Sequence, residues 1–261
     1  MTADQVDFAA LHSALANRLS KSGSAAEFVL IGQTMELLLD KKASAMKQWN
    51  TEITLGTIST ICASASRMAE EVRTSPRTYA WLCRLVEVII KRHRLRLEGH
   101  FHLLVTALQS LLRLLIAPWA GSTPATAAAA VSQDTTTSLL AAHQRRQAAV
   151  FARLLTLTCE PSVASVTRGQ APGALDSAVD AAKRSAGQHM YLVLMLYIKL
   201  QLECPVPRVV REALQPGVYS ILDITTMEGR RILNEAVDGS GRAIFRELYK
   251  QYVKFGKWSG V

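Results

Sequence analysis

The stretch that decides the fold is GQHMYLVLMLYIKLQL, residues 187–202, which is apolar almost all the way round a helical wheel. A helix that is hydrophobic on every side has to lie at the centre of a protein, covered by other helices. Its longest apolar run, residues 190–198, is too short to span a bilayer and predicts a buried core helix. Met190 and Met195 are interpreted as flexible side chains that fill gaps in this core.

The composition of the rest of the chain also favours helices. Of the 261 residues, 49% are hydrophobic and 20% are charged, which excludes wholesale disorder. Leucine and alanine dominate, aromatic residues make up 6%, and no stretch alternates with the period of a strand. We therefore predict helices over residues 7–20, 24–41, 53–69, 76–93, 96–117, 138–160, 175–203, 208–214, 217–224, 229–237 and 241–255.

Prolines and capping residues mark several of the predicted helix ends. Ser75 precedes Pro76, which is the order expected of a capping serine and a proline at the first helical position. The stretch CPVP, residues 204–207, has to turn the chain, and Pro216 with Gly217 is expected to separate two short helices. Ser240 is placed where it could cap the last helix.

This succession of helices with short breaks predicts an all-α fold. We expect an irregular helical-repeat array (an α-solenoid of the HEAT/armadillo type) of about ten helices. No fixed sequence period is present, so a compact bundle is the alternative. The apolar helices need one another for burial, which predicts a single domain over residues 1–261 with loops at 121–137 and 167–173. The first loop could instead be an alanine-rich extension of a neighbouring helix.

The charge and the cysteines restrict the partners and the compartment. A formal net charge of +9 and a pI of about 9.6 favour an acidic partner such as nucleic acid. Cys62, Cys83, Cys159 and Cys204 are scattered without a CxxC pair, and no signal peptide is present. Both features indicate a reduced intracellular compartment.

The chain carries no recognisable catalytic pattern. There is no phosphate-binding or dinucleotide-binding glycine loop, no nucleophile elbow and no pair of carboxylates suited to acid–base chemistry. His100 and His102 lie two residues apart on a predicted helix, so they point to different faces and do not suit zinc. We therefore predict no enzyme activity, no metal, no cofactor, no small-molecule substrate and no membrane contact.

The densest basic cluster is KRHRLR, residues 91–96, with the cations Lys91, Arg92, Arg94 and Arg96. One interpretation is structural, because cations at the end of a helix are stabilised by its dipole. The other is functional, because arginine forms forked hydrogen bonds with phosphate oxygens. The cluster lacks interleaved aromatic residues, so RNA bound there would be held by its backbone rather than read as sequence.

A second set of cations recurs along the last predicted helix. It consists of Arg242, Arg246, Lys250, Lys254 and Lys257, at spacings of three and four residues. The opposite face is expected to be buried through Ile244, Phe245, Leu248, Tyr249, Tyr252 and Val253. This pattern predicts a docked helix that presents a cationic stripe to RNA or an acidic partner. A face that is merely solvated is the alternative.

Several stretches, taken in order, carry a family resemblance. They are KQWN (47–50), KRHRLRL (91–97) with FHLL (101–104), LQSLL (108–112), RLLTLTCEP (153–161), KRSAGQ (183–188), VREALQPGVY (210–219), and SGRAIF (240–245) through FGKW (255–258). From about residue 25 to residue 258 the chain resembles the C-terminal domain of the nucleolar pre-ribosomal, pre-rRNA-processing protein family. That family is also called the second unhealthy-ribosome-biogenesis family.

The resemblance implies a non-enzymatic assembly factor for early large-subunit (60S) pre-rRNA processing, located in the nucleus and nucleolus. It implies pre-ribosomal partners, namely a large helical scaffold protein and a DEAD-box helicase, with pre-rRNA as a further candidate. It also implies that the chain is the terminal piece of a longer helical-repeat protein. The alternative function is a solenoid-capping protein–protein interaction module that makes no RNA contact.

Overall fold

The computed structural model describes residues 7–64, 71–72, 75–117, 135–166 and 175–256. All regular elements in these ranges are helices, which confirms the all-α prediction. They are α1 (Phe8–Leu19), α2 (Ala25–Lys41), α3 (Gln48–Ala63), α4 (Pro76–Arg92), a 3-10 turn (Arg94–Leu97), α5 (Phe101–Ile116), α6 (Thr135–Cys159), α7 (Val163–Val166), α8 (Leu175–Gly187), α9 (Tyr191–Glu203), α10 (Arg208–Ile224), α11 (Met227–Ala236), α12 (Gly239–Gln251) and a π-helical turn (Tyr252–Gly256).

The chain divides into two compact units, Met1–Leu111 and Leu112–Val261, with the boundary inside α5. Within the first unit, helices pack against others one or two elements away, whereas the main packing of the second unit joins α6 to α10; an all-helical arrangement of this kind is consistent with a helical array. The solenoid and the single domain over 1–261 stay predictions. Of the two predicted loops, 167–173 and most of 121–137 lie outside the described residues, while residues 135–137 belong to α6.

The first unit is built around α2, which packs against α1 and α4, while α1 also packs against α3. Phe28, Met35 and Leu39 supply the core side of α2 and are fully buried. Ile58 of α3 and Leu82 of α4 are buried as completely. On α2, side chains at spacings of seven and four residues therefore form the single apolar stripe that a docked helix needs.

A polar network is buried between α1 and α3 in this unit. The Asn50 amide donates to the carbonyl of Ala9 at 2.9 Å and lies 3.4 Å from His12 Nδ1. The Thr54 hydroxyl donates to the Asn50 carbonyl at 2.7 Å and lies 3.4 Å from His12 Nε2. Burial, with a smaller contribution from the charge of His93, lowers the pKa of His12 to about 4. His12 is therefore neutral in the folded protein at physiological pH.

The second unit is dominated by the packing of α6 against α10. At Gly217 a Cβ atom would lie 2.6 Å from the carbonyl oxygen of Ala152, so only glycine permits this close approach. Pro216 lies inside α10, and the prediction of two helices separated by Pro216 and Gly217 is therefore wrong. A proline removes one backbone hydrogen bond, and tight packing on α6 keeps the helix continuous in spite of that loss.

The apolar stretch that opened the sequence analysis forms α9 and the turn before it. Val193, Leu194 and Ile198 are fully buried, and α9 contacts α10, α11 and α12, so it is the central helix of this unit. The predicted helix over 175–203 is wrong at residues 188–190, where the chain turns between α8 and α9. Gly187 lies directly against the Ile224 carbonyl, and this contact sets the end of α8 against α10.

The capping predictions have different outcomes for α4 and α12. The Ser75 hydroxyl accepts a hydrogen bond from the Arg77 amide at 3.3 Å, which confirms Ser75 as the cap of α4. Asp238, not Ser240, caps α12, since its carboxylate accepts from the Gly241 amide at 2.7 Å. The negative charge of this carboxylate also interacts favourably with the positive end of the helix dipole, whereas a serine hydroxyl carries no such charge.

Candidate nucleic-acid interface

The C-terminal helix α12 is fixed to the second unit at both ends. At its start, Gly241 packs against Ile198 of α9, where an added Cβ would lie 3.5 Å from the Ile198 side chain. At its end, the buried Tyr252 donates its hydroxyl to the carboxylate of Asp223 at 2.8 Å. Burial, and then the Asp223 carboxylate, raise the pKa of Tyr252 to about 12. The hydroxyl therefore remains a donor under all ordinary conditions.

The outer side of α12 carries the α12 stripe, which we define as Arg242, Arg246, Lys250 and Lys254. All four are exposed and lie four residues apart. Along a helix this spacing corresponds to about 6 Å between successive residues. Arg242, Arg246 and Lys250 therefore form a row of exposed cations along the helix, and Lys254 follows in the π-helical turn after it. Lys257, the fifth predicted member, lies outside the described residues.

The α12 stripe has almost no internal counter-charges. Arg242 donates to the backbone carbonyl of Asp238 at 3.4 Å, and Lys254 lies 4.9 Å from the centre of the Phe255 ring. Arg246 and Lys250 form no ion pair or hydrogen bond within the described residues. Like charges four residues apart repel each other by a few tenths of a kcal/mol. Arg246 and Lys250 are therefore the members of the row whose charge is not paired within the described structure.

The apolar face of α12 follows the prediction except at its end. Phe245 and Tyr252 are buried, and Ile244, Leu248 and Tyr249 are half-buried. Val253 was expected in the core but is 44% exposed, because the helix changes to a π-helical turn at Tyr252. A π-helical turn adds a residue per turn and so moves later side chains out of register. The same turn leaves Phe255 60% exposed beside the stripe.

The other basic set, which we call the 91–96 cluster, is engaged within the first unit. Lys91 pairs with Glu87 at 2.5 Å, and Arg92 pairs with Asp40 of α2 at 2.6 Å. Arg94 is buried, with 6% of its surface exposed. The Arg96 guanidinium donates to the Met46 carbonyl at 2.6 Å. These contacts favour the structural interpretation of the 91–96 cluster, and its role in RNA or partner contact stays a prediction.

Residues with metal-binding or nucleophilic chemistry do not gather in the described structure. Within the described ranges, no group of three or more His, Cys, Asp and Glu side chains could hold a metal ion. His100 Nδ1 lies 3.2 Å from a Glu52 carboxylate oxygen, while His100 and His102 have ring centres 6.3 Å apart. Burial raises the pKa of Cys62 to about 12 and raises that of Cys83 as well. These thiols are therefore poor nucleophiles.

Sequence reasoning missed a groove on the inner side of α12. It lies between α9, α10 and α12, has a volume of about 500 Å³, and is lined by Tyr197, Gln201, Arg211 and Val218 from the first two helices. Ile244, Glu247, Leu248 and Gln251 line it from α12. Three helices form the groove, and their order along the chain does not reveal how they meet. Ile244 and Leu248, which the sequence predicts as buried, remain half-buried because they line this groove.

Comparison with known proteins supplies the family. A family model described as the Urb2/Npa2 family matches residues 29–261, whereas no curated protein and no solved structure matches the chain. The match agrees with the resemblance drawn from the sequence motifs. It is a nucleolar family of ribosome-biogenesis proteins and is not a known enzyme family. In the described part of the chain, no helix is long and apolar enough to cross a membrane. The chain therefore belongs to the Urb2/Npa2 family of ribosome-biogenesis proteins.

Proposed function

We propose that this chain is a non-enzymatic assembly factor of early large-subunit (60S) pre-rRNA processing in the nucleolus. In this role it holds pre-ribosomal proteins together and contacts pre-rRNA through the α12 stripe. The observation that supports RNA contact is that Arg246 and Lys250 are exposed and have no acidic partner in the described structure. Exposed cations in a row neutralise successive phosphates and release their counterions, which is the main source of sequence-independent affinity for RNA.

The partners that we propose are a large helical scaffold protein and a DEAD-box helicase, as the family implies. A scaffold accelerates the helicase reaction by raising the local concentration of enzyme and RNA, without chemistry of its own. The test is a pull-down of the tagged chain from nuclear extract, with and without ribonuclease. Recovery of large-subunit assembly factors and rRNA precursors supports the proposal, and recovery of neither contradicts it.

RNA contact by the α12 stripe is tested by salt dependence. For single-stranded RNA, the plot of log affinity against log salt has a slope of about −0.7 per phosphate contacted. The double variant Arg246→Gln/Lys250→Gln should therefore make the slope shallower by about 1.4. A matched control is Arg208→Gln/Arg231→Gln, which removes the same charge from arginines paired with Glu212 at 2.6 Å and Glu235 at 3.0 Å.

The control variant should keep the wild-type slope, since its cations are already neutralised within the protein. Equal slopes for all three proteins would remove the α12 stripe from the proposal. The alternative is a protein-interaction module without RNA contact. It predicts that none of the three proteins binds RNA and that partner proteins are still recovered in the pull-down after ribonuclease treatment. The groove on the inner side of α12 is the observation that favours protein contact.

A further inference from the structure

The turn that follows α12 exposes an aromatic ring. Phe255 lies in the π-helical turn and is 60% exposed. Among the phenylalanine, tyrosine and tryptophan residues that the structure describes, only Trp49, at 44%, is exposed as well. A ring in water offers a flat apolar face on which a second flat ring can stack. The groups around Phe255 decide which kind of ligand can bring that second ring.

The groups beside this ring are cations. The Lys254 ammonium lies over one face of the Phe255 ring, 4.9 Å from its centre, which is the geometry of a cation–π contact. Lys250, one turn earlier, is exposed and forms no ion pair or hydrogen bond within the described residues. From residue 248 to residue 256 the chain contains no acidic residue. The segment that carries the exposed ring is therefore purely cationic.

The backbone that presents Phe255 is packed against the second unit. A Cβ atom added at Gly256 would lie 2.6 Å from the Tyr252 ring and 3.0 Å from the Tyr219 ring, so this backbone rests directly on both rings. The two tyrosine rings meet edge to face with their centres 5.8 Å apart, and the Tyr252 hydroxyl is bonded to Asp223. A ligand therefore does not have to order this turn before it contacts the Phe255 ring.

Single-stranded RNA carries both groups that such a surface can bind. Each nucleotide brings an anionic phosphate and a flat base, and proteins that hold single strands combine a cationic track with aromatic rings on which bases stack. In a duplex the bases are already paired and stacked on one another, so they cannot reach the ring. An apolar protein surface could cover Phe255, but it would take water from Lys250 and Lys254 without supplying an anion in exchange.

We propose that Phe255 is a stacking platform for an unpaired base of single-stranded RNA whose phosphates lie along the α12 stripe. The base stacks on the ring, while Lys250 and Lys254 neutralise neighbouring phosphates. Stacking tolerates every base, so the platform adds affinity without reading sequence. This site rests on the RNA contact proposed for the α12 stripe and narrows it to unpaired RNA.

The experiment titrates the whole chain with a short single-stranded oligoadenylate, with the same strand lacking its bases, and with a duplex of equal length. Phe255→Leu keeps an apolar side chain but loses the flat ring, so it should bind oligoadenylate about fivefold or more weakly. Phe255→Trp should restore the affinity. The dependence on salt should not change, because no phosphate contact is lost. The wild type and Phe255→Leu should bind the strand without bases equally, and the wild type should prefer the single strand to the duplex.

The matched control is Trp49→Leu, which removes the other exposed ring and should leave RNA affinity unchanged. Because Phe255 is exposed, Phe255→Leu should also keep the wild-type thermal midpoint. Wild-type affinity of Phe255→Leu for oligoadenylate, or an equal loss on the strand without bases, would overturn the stacking platform. If Arg246→Gln/Lys250→Gln still makes the salt slope shallower, the RNA contact of the α12 stripe remains and only the platform is removed. If the wild type binds no RNA at all, both fail together.

Discussion

The 91–96 cluster and the α12 stripe each contain four described cations, yet they use that charge in different ways. In the 91–96 cluster, Asp40, Glu87 and the Met46 carbonyl accept from three of them, and the fourth is buried. In the stripe, Arg246 and Lys250 face water without an acid. Charge density along a sequence therefore does not identify a binding surface, because the partner is decided by which helix packs alongside.

Acidification should separate the stability of the unit that contains the 91–96 cluster from RNA binding by the α12 stripe, because His12 lies in that unit. His12 has a pKa near 4 in the folded protein and near 6.5 when unfolded, so between these values only the unfolded chain binds the proton. The contribution of His12 to the free energy of unfolding should be fully present above pH 6.5. It should be lost toward pH 4 by up to about 1.4 kcal/mol per pH unit, which amounts to about 3 kcal/mol in all. Arginine and lysine stay charged over this range, so the RNA affinity of the folded protein should not decrease together with its stability.

Urea unfolding at several pH values measures this effect, and His12→Leu is the control. In this variant Asn50 keeps its bond to the Ala9 carbonyl, and Thr54 keeps its bond to the Asn50 carbonyl. The difference in pH dependence between the variant and the wild type isolates His12 from the other histidines. Identical slopes for both proteins would contradict the buried neutral histidine.

The next largest effect is a loss of stability in the unit that carries the α12 stripe, caused by a substitution that does not change its charge. Gly217→Ala would place a Cβ atom 2.6 Å from the Ala152 carbonyl oxygen and 2.8 Å from its Cα, and backbone atoms cannot rotate away. We expect a loss of about 2–3 kcal/mol in the free energy of unfolding, as for other overpacked sites. RNA affinity measured well below the unfolding transition should stay at the wild-type value. A parallel loss of affinity would mean that RNA binding depends on the packing of α6 and α10.

Within the 91–96 cluster, Arg96→Ala should cost about 2 kcal/mol, since the Met46 carbonyl loses a charged donor. The variant should bind RNA like the wild type if the cluster serves the fold. Chemical unfolding and RNA titration on the same sample check both statements. A stable variant with weak RNA binding would reverse the comparison and make the 91–96 cluster the interface.

The smallest effect is expected for Lys91→Ala. Lys91 pairs with Glu87 four residues earlier on an exposed helix face, and such pairs contribute about 0.3–0.5 kcal/mol. Added salt should remove even this difference, because exposed pairs are screened. Unfolding curves at low and high salt give the measurement. A salt-insensitive loss larger than 1 kcal/mol would show that Lys91 has a further role in the fold.

The features that the sequence could predict are those that depend on neighbouring residues. The nearly continuous apolar stretch identifies α9 as buried, and Ser75 before Pro76 marks the start of α4. The prediction of a helix break at Pro216 is wrong for the same reason. It considers only the neighbouring residues and not the surface of α6, against which α10 packs as a continuous helix. The pairing of Arg92 with Asp40 joins residues more than fifty positions apart, and no periodic pattern encodes it. The groove is formed by three helices that meet through contacts between residues far apart in sequence, so the sequence pattern does not predict it either.

The two anchors of α12 have a mechanical consequence. The helix is held by Gly241 against Ile198 and by Tyr252 against Asp223, and it spans the groove between them. One side of it lines the groove, and the other carries the exposed cations of the α12 stripe. Because the fold already fixes both ends, Arg242, Arg246 and Lys250 are held in place before any anion arrives, and a partner that binds this row does not have to order the helix first.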